Sequence, residues 1–254
     1  MNRHNNLKPE LIETLTQLFK IYSPTYEEHE LVRFLSTQLT EADWRVERDN
    51  MGNIMARRSE DISDLPLLNA HMDTLQSEDD QEHLEALTYD TLTDRFQLKD
   101  VQIGCDDKAG LGIILCLAKY TDLDFKILLT VQEECRQKGV KNIPSDFFHN
   151  VCWAFSLDRK GSNDVITEYM GKTMCSEEFY QELVRIGSEN NMALSVAQGS
   201  RADTYDLANF CPAVNLSVGY YGAHHANDYL KVDETYRTMN LVRQCLVQKE
   251  RLMK

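Results

Sequence analysis

Three short apolar runs, each leading into an imidazole or a carboxylate, constrain this chain more than any other feature. Pro66-Leu67-Leu68-Asn69-Ala70-His71-Met72 delivers His71, residues 125–131 lead straight into Gln132-Glu133-Glu134, and residues 151–157 end at Asp158. Apolar runs of this length, bounded by turn signals, fit strands buried on both faces. Helical periodicity fills the intervals. Residues 8–21 carry Leu11, Ile12, Leu15, Leu18 and Phe19 at helical spacing, with Pro9 in a first turn. Thr25 is predicted to cap a second helix, with Glu28 as its capping-box partner and Leu31, Phe34, Leu35 and Leu39 as the buried stripe. Further helices are expected after the Gly104 turn through the apolar run 111–117, from Ser176 to about Asn190, and over residues 233–250.

This alternation predicts an α/β chain: a mixed, mostly parallel central sheet with helices on both faces, hence three layers. Smaller elements follow the same logic. Residues 45–49 and 53–57 form a hairpin around Asn50-Met51-Gly52, and 95–98 make a short strand. Residues 164–169 read as a strand adjacent to 151–157, with two more at 193–196 and 214–218. Residues 1–7 read as a frayed polar end and 75–93 as an acidic surface loop.

Composition narrows the function. A net charge of −14 argues against nucleic acid and anionic membranes as partners, because both require a basic surface. Seven scattered cysteines form no CxxC pair, and neither an apolar leader nor an apolar run near 20 residues is present. A reduced, cytoplasmic setting is the expectation. The 254 residues suffice for one sizeable core or two small domains.

Open α/β sheets bind ligands beyond the C-terminal ends of their strands. His71, Glu133, Glu134 and Asp158 all fall at such ends, and Asp106-Asp107 enters a helix after the Gly104 turn. Carboxylates gathered in one crevice repel one another and lose hydration, and a divalent cation removes both penalties. Imidazole nitrogen mixed with carboxylate oxygen suits zinc, with manganese or cobalt as substitutes. Glu133 and Glu134 cannot both face one ion from extended backbone. One of them is expected to ligate while the other serves as a general base. The residues alone leave Asp106 and Asp107, like His224 and His225, equal candidates.

Five segments, taken in order, resemble the co-catalytic di-zinc exopeptidases of clan MH, the group of tripeptidases, zinc aminopeptidases, glutamate carboxypeptidases and aminoacylases. They are Asn69-Ala70-His71-Met72-Asp73-Thr74, Gly104-Cys105-Asp106-Asp107-Lys108-Ala109-Gly110, Thr130-Val131-Gln132-Glu133-Glu134, Ser156-Leu157-Asp158 and His224-His225-Ala226-Asn227-Asp228. The resemblance implies two zinc ions. His71 and Asp158 would hold one, Glu134 and His224 the other, and Asp106 would bridge them. Asp106 is chosen because it stands two residues before Lys108, and His224 because an acid, Asp228, follows four residues later. Asp73 would orient His71, and Glu133 would be the base. Arg201, in a loop where clan members touch substrate, would either clamp a substrate carboxylate or pair with Asp203 or Asp206 in a structural loop, and His225 would contact substrate.

The intervals between the motifs leave no room for an inserted lid. A single catalytic domain spanning residues 1–254 is therefore expected, with oligomerisation as its means of secluding the site. The implied activity is exopeptidase action on short peptides, most simply as an aminopeptidase. N-acyl amino acid hydrolysis at the same site is the first alternative, and a silent metal-binding homologue the second.

Overall fold

The computed structural model describes residues 6–58 and 64–253. Helix α1 (Lys8–Phe19) and helix α2 (His29–Glu41) are followed by the hairpin β1 (Arg45–Arg48) and β2 (Ile54–Arg57). Strand β3 (Leu65–His71), the short α3 (Glu78–Gln81) and β4 (Arg95–Gln97) precede α4 (Cys105–Tyr120) and β5 (Lys126–Thr130). Then come β6 (Val151–Arg159), β7 (Asp164–Ile166), the hairpin β8 (Glu168–Tyr169) and β9 (Lys172–Thr173), and α5 (Glu177–Glu189). The chain continues through β10 (Ser195–Val196), α6 (Thr204–Leu207), β11 (Ala213–Ser217), β12 (Tyr220–Tyr221), β13 (Tyr229–Lys231) and α7 (Val232–Val247).

Eight strands form one mixed sheet in the order β1-β2-β5-β3-β6-β11-β7-β10. Its centre, β5-β3-β6-β11, is parallel throughout, so all four strands end at the same edge. The register sets His71 beside Thr130 and Asn69 beside Ser156. A small sheet, β12-β13-β4, stands apart and carries the loop holding His224.

The expected three layers are present and unequal. On one face α1, α2, α4, α5 and α7 bury a continuous core that includes Leu68, Ile127, Leu129, Trp153, Phe155 and Leu216. Each fully buried side chain of this size contributes about 1.5–3 kcal/mol. The other face is covered thinly, by 3-10 turns at Val140–Asn142 and Ser145–Phe148 and by α6, over a smaller cluster containing Leu67, Leu128 and Ala154.

Several local expectations change. Thr25 does not cap α2; the helix starts at His29 after Glu28, without a side-chain cap. The Thr25 hydroxyl donates instead to Asp73 Oδ2 at 2.9 Å, and Glu28 Oε1 accepts the Gln132 N–H at 3.2 Å. The two residues that spell a capping box are used by the site. Leu7, placed in a frayed end, is buried against the core, while the rest of that expectation, residues 1–5, lies outside the described residues. The loop 75–93 contains α3, capped reciprocally by Ser77 and Asp80, and buries Leu84 and Leu87. Strand 164–169 splits into β7 and β8, and β11 intervenes between β6 and β7.

Candidate functional site

The parallel strands deliver their ends to a cleft of about 160 Å³. It is lined by His71, Asp106, Glu133, Glu134, Gln137, Asp158, Ser200, Arg201, Tyr220 and His224. His71 closes β3, Asp158 is the penultimate residue of β6, and the two glutamates follow β5. Asp106 comes from the mouth of α4. Gly104 takes φ +73 there, a left-handed conformation that glycine adopts without penalty, and Asp106 and Asp107 keep non-helical backbone angles. A cis peptide bond joins the two aspartates.

Asp106 lies between two histidines. Its Oδ1 is 3.0 Å from His71 Nε2, and its Oδ2 is 3.3 Å from His224 Nε2. Asp158 Oδ1 stands 3.6 Å from His71 Nε2, and Glu134 Oε1 stands 2.7 Å from His224 Nε2. Asp107 takes part in the framework, its oxygens accepting the N–H groups of His71 at 3.2 Å and Gly110 at 3.0 Å, while one of its carboxylate oxygens also stays within 4.8 Å of ligand atoms of His71 and Asp158. Gly110 is required by close approach, since a Cβ there would lie 2.1 Å from the Leu157 carbonyl oxygen. Helix α4 thus seats backbone against backbone on β6.

Asp73 does more than face His71. The nearest partner of His71 Nδ1 is the Asp73 carbonyl at 2.9 Å, with the carboxylate at 3.6 Å. The carboxylate instead accepts the backbone N–H of Glu133 at 2.8 Å and of Glu134 at 3.2 Å, together with the Thr25 hydroxyl. It therefore shapes the turn that carries both glutamates. Asp228 acts similarly, accepting the N–H of Ile103 at 2.6 Å and of Cys105 at 2.9 Å, which ties the His224 loop to the Asp106 loop.

The electrostatics follow from burial of many acids together. Burial favours a neutral Asp106, but the His224 and His71 imidazoles outweigh it and hold the carboxyl well below the ordinary range. Burial, with Asp106 beside it, pushes Asp158 up to about 7. Glu133 rises to about 9, chiefly by burial, with His71 opposing and Asp158 and Asp203 adding repulsion. Asp106 and Glu134 raise His224 to about 10. Burial opposes charge on His71, and Asp106, Asp158 and Asp73 override it. The protein alone holds too much negative charge in too little water, and protons make up the difference.

Arg201 lines the cleft, with Nη2 3.5 Å from Asp206 Oδ2 and its guanidinium 5.0 Å above the Tyr205 ring. His225 is not brought in: it is exposed, and its Nδ1 faces the Ala223 carbonyl at 2.7 Å. Three residues emerge that the motifs left unassigned. The Tyr220 hydroxyl, buried, lies 3.1 Å from both Asp106 Oδ2 and the Asp158 carbonyl. Gln137 donates to Glu133 Oε1 at 2.9 Å. Asp203, fully buried beneath the site, accepts from Thr130 at 2.5 Å and from Asn69 at 3.2 Å. Only the alternation of polar residues within the β3, β5 and β6 runs could have hinted at that last group.

No family model and no curated protein sequence matches the chain. Solved structures do match. An aminopeptidase from Bacillus cereus superposes with a TM-score of 0.79 at 15% identity, over 97% of this chain and 99% of that one. A tripeptidase from Staphylococcus aureus gives 0.75 at 14% identity, over 97% and 99%. The Pyrococcus horikoshii TET1 peptidase, described as assembling into a tetrahedron or a large octahedral shell, gives 0.71 at 14% identity, over 93% and 99%. This chain therefore shares the fold of these aminopeptidases and tripeptidases.

Proposed function

We propose that the protein is a zinc-dependent exopeptidase of short peptides, acting as an aminopeptidase through a two-ion centre. The observation that carries this reading is the position of Asp106, with one carboxylate oxygen toward His71 and the other toward His224. His71 and Asp158 would hold one ion, His224 and Glu134 the other, and Asp106 would bridge. The donor set fits. Two tetrahedral ligands about 2.0–2.1 Å from one zinc stand about 3.3 Å apart. The His–carboxylate separations here are 2.7, 3.0, 3.3 and 3.6 Å. The gathering of four carboxylates, Asp106, Glu133, Glu134 and Asp158, in one cleft also demands compensating positive charge. Manganese or cobalt would satisfy the same donors.

Bound ions would supply Lewis acidity at the scissile carbonyl and lower the pKa of water. The chain's own residues do the rest. Glu133 accepts a proton from the attacking water and returns it to the leaving amine. Gln137 and the Asp73-bound backbone fix where that carboxylate points. Tyr220 donates its hydroxyl to Asp106 Oδ2 at 3.1 Å and so restrains that carboxylate.

The expected outcome of Glu133→Gln is loss of turnover by a factor on the order of 10³ or more, with metal content by elemental analysis unchanged. Full activity in that variant removes the assignment. Arg201 in the cleft favours one alternative, hydrolysis of N-acyl amino acids, whose free carboxylate it would clamp. A panel of aminoacyl anilides, dipeptides and N-acetyl amino acids separates the two.

The reading also has the chain act as one catalytic unit and assemble into a homo-oligomer, as the Pyrococcus horikoshii peptidase does. All seven cysteines are free, which suits the cytoplasm. Among the described residues, no helix is long and apolar enough to cross a membrane.

A further inference from the structure

We propose that a groove beside the cleft is a subsite for the free C-terminal carboxylate of a short peptide, with Arg48 as its main contact. The inference rests on the peptidase reading and adds what the far end of the substrate meets. The groove encloses about 650 Å³ between the start of α2, the β1-β2 turn and the segment after β5. Its walls include Tyr26, Glu28, His29, Arg48, Met51 and Gln132.

Groove and cleft share one turn of backbone. Val131 and Gln132 line the groove, and the next two residues, Glu133 and Glu134, line the cleft. Neighbouring Cα atoms are about 3.8 Å apart, and an extended peptide advances about 3.4 Å per residue. On this proposal a peptide of three residues, about 10 Å long when extended, would run from the cleft into the groove. The cleft, at about 160 Å³, is smaller than the roughly 300 Å³ at which pockets begin to enclose a whole small ligand. A substrate longer than a residue or two must leave it.

The charges in the groove are sorted. Asp49 spends one oxygen on the N–H groups of Met51, Gly52 and Asn53 and the other on the side-chain amides of Asn53 and Asn142. Glu28 is buried, with Oε1 on the Gln132 N–H. The side chains of Arg48 and His29 are exposed and make no hydrogen bond or ion pair among the described residues. Lys138 stands at the rim, with Nζ 3.0 Å from the Tyr26 hydroxyl. In a chain of net charge −14, the charged side chain left available in the groove is the Arg48 guanidinium, whereas the cleft next door is crowded with carboxylates.

A zwitterionic peptide fits that separation in one direction, with its ammonium end at the acids and its carboxylate end at Arg48. The planar guanidinium can meet a carboxylate bidentately. Arg201, the cation within the cleft, already faces Asp206.

The test compares tripeptides bearing a free carboxylate with their C-terminal amides, in the native protein and in Arg48→Gln and Arg48→Lys. An aminoacyl anilide serves as a substrate without any carboxylate. The native protein should prefer the acid by roughly tenfold in kcat/KM, expressed in KM. Arg48→Gln should bring the ratio near one, and Arg48→Lys should restore part of it. Equal use of acid and amide by the native protein overturns the proposal, as does an Arg48→Gln variant that loses both alike. If the native protein hydrolyses neither peptides nor the anilide, the peptidase reading fails on its own account. Calorimetric binding of the tripeptide acid and amide then decides the groove: preference for the acid that Arg48→Gln removes supports it, and equal or absent binding overturns it.

Discussion

Below α4, the β3, β5 and β6 strands present Leu68, Ala70, Ile127, Leu129, Trp153 and Phe155 to a thick helical layer. On the opposite face the alternate positions of the same strands, nearest the cleft, are Asn69, Thr130 and Ser156. Ser156 donates to Asn69 at 2.7 Å, and Asn69 and Thr130 both donate to Asp203. Apolar contact has no direction, so the first face fixes where the strands lie. Hydrogen bonds do have direction, so the second face fixes how the strand ends that carry His71 and Asp158 are turned. Stability and site geometry are thus assigned to opposite sides of one sheet.

The largest break of this division lies on the apolar face. Phe155→Ala should cost about 3–5 kcal/mol in urea or thermal unfolding. Protein that remains folded should keep its metal affinity within about twofold. If metal affinity falls in step with stability, the two faces are not separable.

The next break lies on the polar face. Burial lifts Asp203 to about 6, with Thr130 and Asn69 opposing. The unfolded chain releases this proton near 4 while the folded one keeps it, so stability falls as pH rises between about 4 and 6. Asp203→Asn should flatten that slope and stabilise the protein at pH 7 by on the order of 2 kcal/mol. The measurement is urea denaturation across the interval. An unchanged slope would show that the charge on Asp203 is compensated by some other group.

The finest break touches the joint between the faces. Tyr220→Phe removes one hydroxyl from Asp106 and should weaken metal binding about tenfold at the lower end of such effects, with the unfolding midpoint nearly unmoved. A competitive chelator titration reads it, and an affinity equal to that of the native protein would reduce Tyr220 to packing.

Much of this was legible in the sequence, for identifiable reasons. Runs such as Leu67-Leu68 and Leu128-Leu129 bury both faces, so the central strands and their common edge followed from hydrophobicity alone. The resemblance of five ordered segments then named His71, Asp106, Glu133, Glu134, Asp158 and His224, which the structure brings to one cleft. What escaped depends on contacts distant in the chain. Thr25 and Glu28 spell a capping box in any local reading, and only tertiary packing reveals that they bind Asp73 and Gln132 instead. Asn69 and Ser156 are single polar residues inside apolar runs that bond to each other, and Asp203, the further partner of Asn69, is more than 100 residues along the chain from it. His225 has the same composition as its neighbour, and the loop backbone alone decides which imidazole enters.

Gly110 extends the point from side chains to their absence. Because a Cβ there would strike the Leu157 carbonyl, α4 can rest directly on β6, one residue before Asp158 and four after Asp106. The spacing between Asp106 and Asp158 is therefore gauged by a missing carbon atom. Any larger residue would act as a shim between α4 and β6, spreading the cleft while leaving every side chain that lines it unchanged.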